Sequence, residues 1–286
     1  MINKYLSLLP FILLQTCLPQ PYGELDFLGY FPSNLSEISG IEIADDDTIW
    51  AIEDHGNNDM LYKIDFKGNL IKKLKVENAK NNDWEDLTMA DDGTLYIGDF
   101  GNNHNTRKDL IIYKIAKEQL GKKTPKAEKI RFYYPEQRAF PPKKDELLFD
   151  VEGFFHWNDH LYLFTKNRCR PYSGKTLAYK IPDKKGSYEA IYLGDFTLCK
   201  YQDHCSVTAA DISRDGKTIA LLGYGFLYLL HEFDLNDFSN LKTQTIDLKL
   251  NSQMESVCFL NEKTVLIADE ESKTKGRNLY RYHLPD

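Results

Sequence analysis

The sequence has no G-x-S-x-G turn, no G-x-x-x-x-G-K-S/T loop, no H-E-x-x-H helix and no G-x-G-x-x-G fingerprint. Those absences leave serine-nucleophile, P-loop, zinc-protease and dinucleotide chemistry without support. Basic residues are outnumbered: 36 Lys and Arg stand against 43 Asp and Glu, for a formal net charge of −7. Phosphate backbones are bound by clustered Lys and Arg, so nucleic acid is not an expected partner. Cysteine is scarce, five in 286 residues, and none falls in a C-x-x-C pair, which argues against structural zinc. Past the first residues no apolar run approaches the ~20 residues needed to span a bilayer.

What the chain does have is repetition. "EDHGNN" (53–58) returns as "GDFGNN" (98–103), inside longer copies that begin at 38 and 84. Three more copies follow: "VEGFFHWNDHLYLFTKNR" (151–168), "AADISRDGKTIALLGYG" (209–225) and "MESVCFLNEKTVLIADEES" (254–272). Each is an apolar strand, a polar turn such as "DDGT" or "RDGK", and a second apolar strand, which is a hairpin signal. A third strand follows every hairpin ("LYKID", "IYKIA", "AYKIP", "LYLLH", "LYRYH"), and a fourth follows four of the five.

Five four-stranded units in tandem predict an all-β fold, a β-propeller of five blades. A sixth blade is the alternative if the Pro-rich stretch 135–150 supplies strands. The fifth unit ends without a fourth strand, and "ELDFLGYF" (24–31) is placed to complete it, closing the ring and removing an open sheet edge. Residues 24–286 are thus expected to form a single domain, and a monomer.

The N-terminus reads differently. Residues 1–16 carry one charge, Lys4, then an apolar stretch from Tyr5 to Leu14, the layout of a secretory signal. Leu14-Gln15-Thr16-Cys17 resembles a bacterial lipobox, which implies a lipidated Cys17, a tether over 17–23, and a domain held on the membrane in the periplasm or at the cell surface. Losing Lys4 moves the net charge from −7 to −8. Export permits disulfides, and Cys199 and Cys205 would close a small loop.

Propeller geometry puts the starts of the innermost strands and the turns between second and third strands on one face, at the mouth of the central channel. Aligned by unit, the strand starts are Ser39, Glu85, Glu152, Ala210 and Glu255; the ends of the second strands are Asp54, Asp99, Thr165, Gly223 and Asp269. Three glutamates converging on a narrow mouth repel one another unless a cation, water or raised pKa values intervene. Oxygen ligands suit Ca2+ or Mg2+, so Glu85, Glu152, Glu255, Asp99 and Asp269 are the candidate metal ligands. Asp54, His55, Asn58, Asn103, Lys166 and Arg168 are candidate ligand contacts on the same rim. The competing reading is structural: Asp caps turns, and Gly-Asn-Asn tolerates left-handed backbone.

At "ISGIEI…IWAIEDHGN…LYKID", "DVEGF…LYLFTK" and "ESVCF…VLIADEES" the chain resembles the SdiA-regulated and phytase-esterase-like propellers of bacteria. More distantly, "VEGFFHW…LYLF" is similar to the opening of gluconolactonase-type propellers, whose Glu holds a divalent metal. The resemblance implies a propeller that binds a small-molecule, glycan or protein ligand, or a metal-dependent hydrolase of a phosphoester or lactone. It makes Glu152 the match to the metal-binding Glu and offers Asp269 as the matching Asp, with no residue placed for the family's Asn.

Overall fold

The structure is a computed structural model that describes residues 22–273 and 275–285. The leader 1–16, Cys17 and most of the 17–23 tether lie outside the described residues. Strand β1 (Asp26–Tyr30) comes first. Blade one is β2 (Ile38–Asp45), β3 (Thr48–Glu53), β4 (Met60–Asp65) and β5 (Leu70–Lys75). Blade two is β6 (Trp84–Met89), β7 (Leu95–Asp99), β8 (Leu110–Ile115) and β9 (Glu128–Tyr133). Blade three is β10 (Val151–Trp157), β11 (His160–Thr165), β12 (Lys175–Pro182) and β14 (Ile191–Thr197), while the intervening β13 (Gly186–Glu189) runs parallel to β9 on the edge of blade two. Blade four is β15 (Ala209–Ile212), β16 (Ile219–Gly223), β17 (Phe226–His231) and β18 (Lys242–Asp247). Blade five is β19 (Met254–Asn261), β20 (Thr264–Asp269) and β21 (Asn278–His283), completed by β1.

The ring therefore has five blades. Residues 135–150 hold only one 3-10 turn, Lys144–Glu146, so no sixth blade forms. Closure joins the two ends of the chain, with β1 antiparallel to β21 from Asp26 opposite Arg281 to Tyr30 opposite Asn278. The extra strand β13 was not legible: a four-residue strand of Gly, Ser, Tyr and Glu has no apolar alternation to announce it.

The near-continuous apolar runs follow from the strand period of two. In β3, Ile49 and Ala51 enter the core shared with blade five, whereas Trp50 and Ile52 enter the core shared with blade two. In β11, Leu161 and Leu163 face blade two while Tyr162 and Phe164 face blade four. Every blade is thus wetted on neither broad face, and five apolar cores fill the five interfaces. Each fully buried large side chain contributes about 1.5–3 kcal/mol.

The innermost strands are also stitched by side chains. Asp86 accepts N–H bonds from Leu87 (2.8 Å), Phe154 (3.1 Å) and Ala210 (3.4 Å), reaching from blade two to blades three and four. Glu42 accepts from Met89 N–H at 3.0 Å, Asp211 from Phe259 N–H at 2.6 Å, and Ser256 from Ile41 N–H at 2.5 Å. The channel floor is closed by carboxylates that serve as backbone acceptors.

Candidate functional site

Four of the five inner strands carry a β-bulge at one register position. Pairing skips a residue between Ile38 and Gly40, Trp84 and Asp86, Val151 and Gly153, and Met254 and Ser256. The unpaired residues are Ser39, Glu85, Glu152 and Glu255, the same strand starts that the repeat aligns. A bulge re-aims the side chain of its extra residue, so the glutamates share a mouth because the backbone is built alike in each blade. Blade four has no bulge, and its Ala210 pairs regularly with Leu221.

The structure divides the candidates at this mouth into three groups. The first is cationic. Glu152, 3 % exposed, receives Lys166 Nζ at 3.0 Å and Arg168 Nη2 at 2.6 Å, and Arg168 Nε reaches Asp150 at 2.6 Å. Burial pushes the Glu152 carboxyl up, but the two cations outweigh it and hold it below its ordinary value. Lys166 also donates to the Tyr224 hydroxyl (3.3 Å). Glu255 lies beside this group; burial pushes it up to about 7, against the pull of Lys166.

The second group has no ion pair among the described residues. Asp54, Asp83 and Glu85 each place a carboxylate oxygen within 4.8 Å of the others. Glu85 is 6 % exposed and accepts no hydrogen bond from any described residue; burial, then Glu152 and Asp54, hold its carboxyl well above the usual range. Asp83 is pushed up to about 7 by burial and by Asp54 and Asp150. Gly101 is needed beside them because a Cβ there would lie 2.0 Å from Glu85 Oε1 and 2.6 Å from the Asp83 carboxyl carbon. All the donors are hard oxygens, the set that fits Ca2+ or Mg2+. Asp54 and Asp83 keep these oxygens half-buried at the rim.

The third group is turned inward. Register shows that the counterpart of Asp99 and Asp269 in blade one is Glu53, opposite Ile38, and not Asp54, which stands one residue beyond the strand. All three acids accept from the buried tyrosine of their own third strand: Tyr62 to Glu53 at 3.1 Å, Tyr113 to Asp99 at 3.5 Å and Tyr280 to Asp269 at 3.0 Å. Asp99 also holds Arg107 (3.0 Å), and Asp269 accepts Asn278 N–H (2.7 Å). Both expected metal ligands thus have their oxygens engaged within their own blades, and Asp83, next to Glu85, stands at the mouth in their place.

Among the rim contacts, Asn58 and Asn103 are exposed, while their neighbours hold the loops: Asn57 Nδ2 donates to Glu37 and Asn102 Nδ2 to the Phe149 carbonyl. His55 is exposed, and its Nδ1 lies 2.6 Å from the Asn82 carbonyl oxygen. A carbonyl only accepts, so Nδ1 carries the proton and Nε2 is left as the acceptor nitrogen of the neutral ring. That bond, with Asp83 and Asp54 nearby, raises the His55 pKa. Cys199 and Cys205 are joined by a disulfide, and Cys169 and Cys258 are free and buried. Tyr224, in the turn between β16 and β17, carries no motif that marks it in the sequence; its contact with Lys166 is made only across the blades.

No family profile matches the chain, and no curated protein is similar enough to match. Solved structures do match. A PQQ-bound aldose sugar dehydrogenase from Streptomyces coelicolor aligns with a TM-score of 0.50 at 10 % identity, over 93 % of this chain and 99 % of that one. A catalytically inactive virginiamycin B lyase from Staphylococcus aureus gives 0.43 at 15 %, over 89 % and 69 %, and a gluconolactonase from Xanthomonas campestris 0.47 at 12 %, over 87 % and 72 %. At such identities the likeness is one of fold: this chain is a five-bladed β-propeller.

Proposed function

We propose that this protein is a cell-envelope propeller, tethered through a lipidated Cys17, that binds a small-molecule, glycan or protein ligand at its channel mouth with the help of a divalent cation. The observation that carries the reading is Glu85: a buried carboxylate with no donor among the described residues, set against Asp54 and Asp83 in a cradle that Gly101 leaves open. Buried carboxylates normally have donors or a counter-ion, and Ca2+ or Mg2+ would supply one. Asp54, Asp83 and Glu85 would hold the ion, which would offer a Lewis-acidic centre to an oxygen-bearing ligand, while Arg168 and Lys166 supply positive charge from across the mouth. The sequence resemblance to SdiA-regulated and phytase-esterase-like propellers supports the same face.

Calcium titration of the purified domain tests this. A cation bound only to the folded state stabilises it by about 2.7 kcal/mol at a hundredfold excess over Kd. The melting temperature should rise with Ca2+ or Mg2+ in the wild type and not in Glu85→Gln. A wild type indifferent to both ions would refute the reading.

A second reading, a metal-dependent hydrolase of a phosphoester or lactone, is favoured by His55, whose Nε2 is the basic nitrogen of a rim imidazole beside Asp83 and Asp54. It predicts cation-dependent turnover of 4-nitrophenyl phosphate or gluconolactone that falls about 100-fold in His55→Ala. Absence of turnover with either substrate leaves the binding reading standing alone.

A further inference from the structure

Outside the channel, Gln137 and Phe140 of the Pro-rich loop 135–150 and the outer strands of blade two together line a half-open pocket of about 270 Å³. Its walls are Leu110, Phe132, Tyr133, Tyr134 and Phe140, with Arg107, Lys108 and Gln137 around them. We infer that this cavity is a second binding site, separate from the channel mouth, for a small ligand with one aromatic ring and a carboxylate.

Size and lining set the ring. An apolar cavity of 150 Å³ already accepts benzene, so this pocket has room for a single ring with a short substituent. Leu110, Phe132 and Tyr134 are buried, and they make an apolar floor. Tyr133 and Phe140 are 48 % and 36 % exposed, so two aromatic rings remain at the opening, where edge-to-face and offset-stacked contacts with an aromatic guest are available.

Charge sets the carboxylate. The chain is acidic overall, yet this lining contains two cations and no Asp or Glu. Arg107 is committed elsewhere: Nη1 to the Gly101 carbonyl (2.8 Å), Nη2 to Asp99 (3.0 Å) and Nε to Asp109 (3.3 Å). Lys108 is not. Its Nζ sits 4.6 Å from the centre of the Phe140 ring, and it makes no ion pair with a described carboxylate. One free ammonium at the edge of an aromatic slot complements one anionic group.

Saturation-transfer NMR with phenylacetate and its neutral counterpart 2-phenylethanol tests the assignment, using the whole domain and the exposed-site variants Lys108→Glu and Phe140→Ala. Phenylacetate should bind the wild type and be weakened at least tenfold by Lys108→Glu, with 2-phenylethanol unaffected by that change. Phe140→Ala should weaken both ligands, and adding Ca2+ should alter neither. No saturation transfer to the wild type at millimolar phenylacetate overturns the inference, as does equal binding by all three proteins. Displacement of phenylacetate by Ca2+ would place the ligand at the channel mouth and overturn it too.

Discussion

The floor and the mouth of the channel are built from the same residue type at similar depth, and they behave differently. On the floor, the oxygens of Asp86, Glu42 and Asp211 accept backbone N–H groups of their own and neighbouring inner strands. At the mouth, Glu152 is held by two cations, and Glu85 has no donor among the described residues. The difference lies in the backbone. Floor carboxylates sit at positions that keep a cross-strand partner, Asp86 opposite Gly98, Glu42 opposite Trp50 and Asp211 opposite Ala220, whereas the glutamates of the mouth are the unpaired residues of bulges that aim them away from the ladders. Buried acid is therefore structural where amides point at it and available for ligands where they do not.

The comparison breaks most sharply at Asp86. Asp86→Ala removes the acceptor of three backbone N–H groups in three blades, each costing about 1–3 kcal/mol when left unpaired and buried. Unfolding titrations should show a loss of roughly 5 kcal/mol; a loss below about 1 kcal/mol would mean the stitching is dispensable. At the mouth, Glu152→Gln leaves Lys166 and Arg168 without their shared carboxylate, and breaking such a buried pair costs about 3 kcal/mol. A more stable mutant would show instead that repulsion among the glutamates dominates there.

The smallest effect is in pH. Burial holds Asp211 up near 7, well above its unfolded value, and Glu255 at about 7 as well. An acid whose folded pKa is raised binds its proton more tightly when folded, so its stability contribution is greatest below the unfolded pKa and falls until pH passes the folded value. Without added cation, stability should drop by on the order of 1 kcal/mol per such group between pH 6 and 7.5. Thermal melts that rise over this interval would contradict the picture.

Repetition made much of this legible in one sequence. The aligned "SGI", "EDL", "EGF" and "ESV" starts mark the bulge positions, and "ELDFLGYF" marks the strand that closes the ring. The tyrosine of each third strand was visible, as were acids at the ends of three second strands, but not that in blades one, two and five tyrosine and acid are partners, with Glu53 in place of Asp54.

The sequence by itself determined the propeller architecture, the hairpin grammar and the face on which the acids gather, because strand period and turn chemistry are local, while the choice of five blades over six came from the loop 135–150. Only the tertiary structure decided which acids are satisfied. The single extra residue in the first copy puts Glu53, not Asp54, in register with Asp99, and it leaves Asp54 free to meet Asp83 and Glu85. Whether a carboxylate finds an amide, an ammonium or nothing depends on what neighbouring blades bring to within about 3 Å, and that distance is set by how the ring closes.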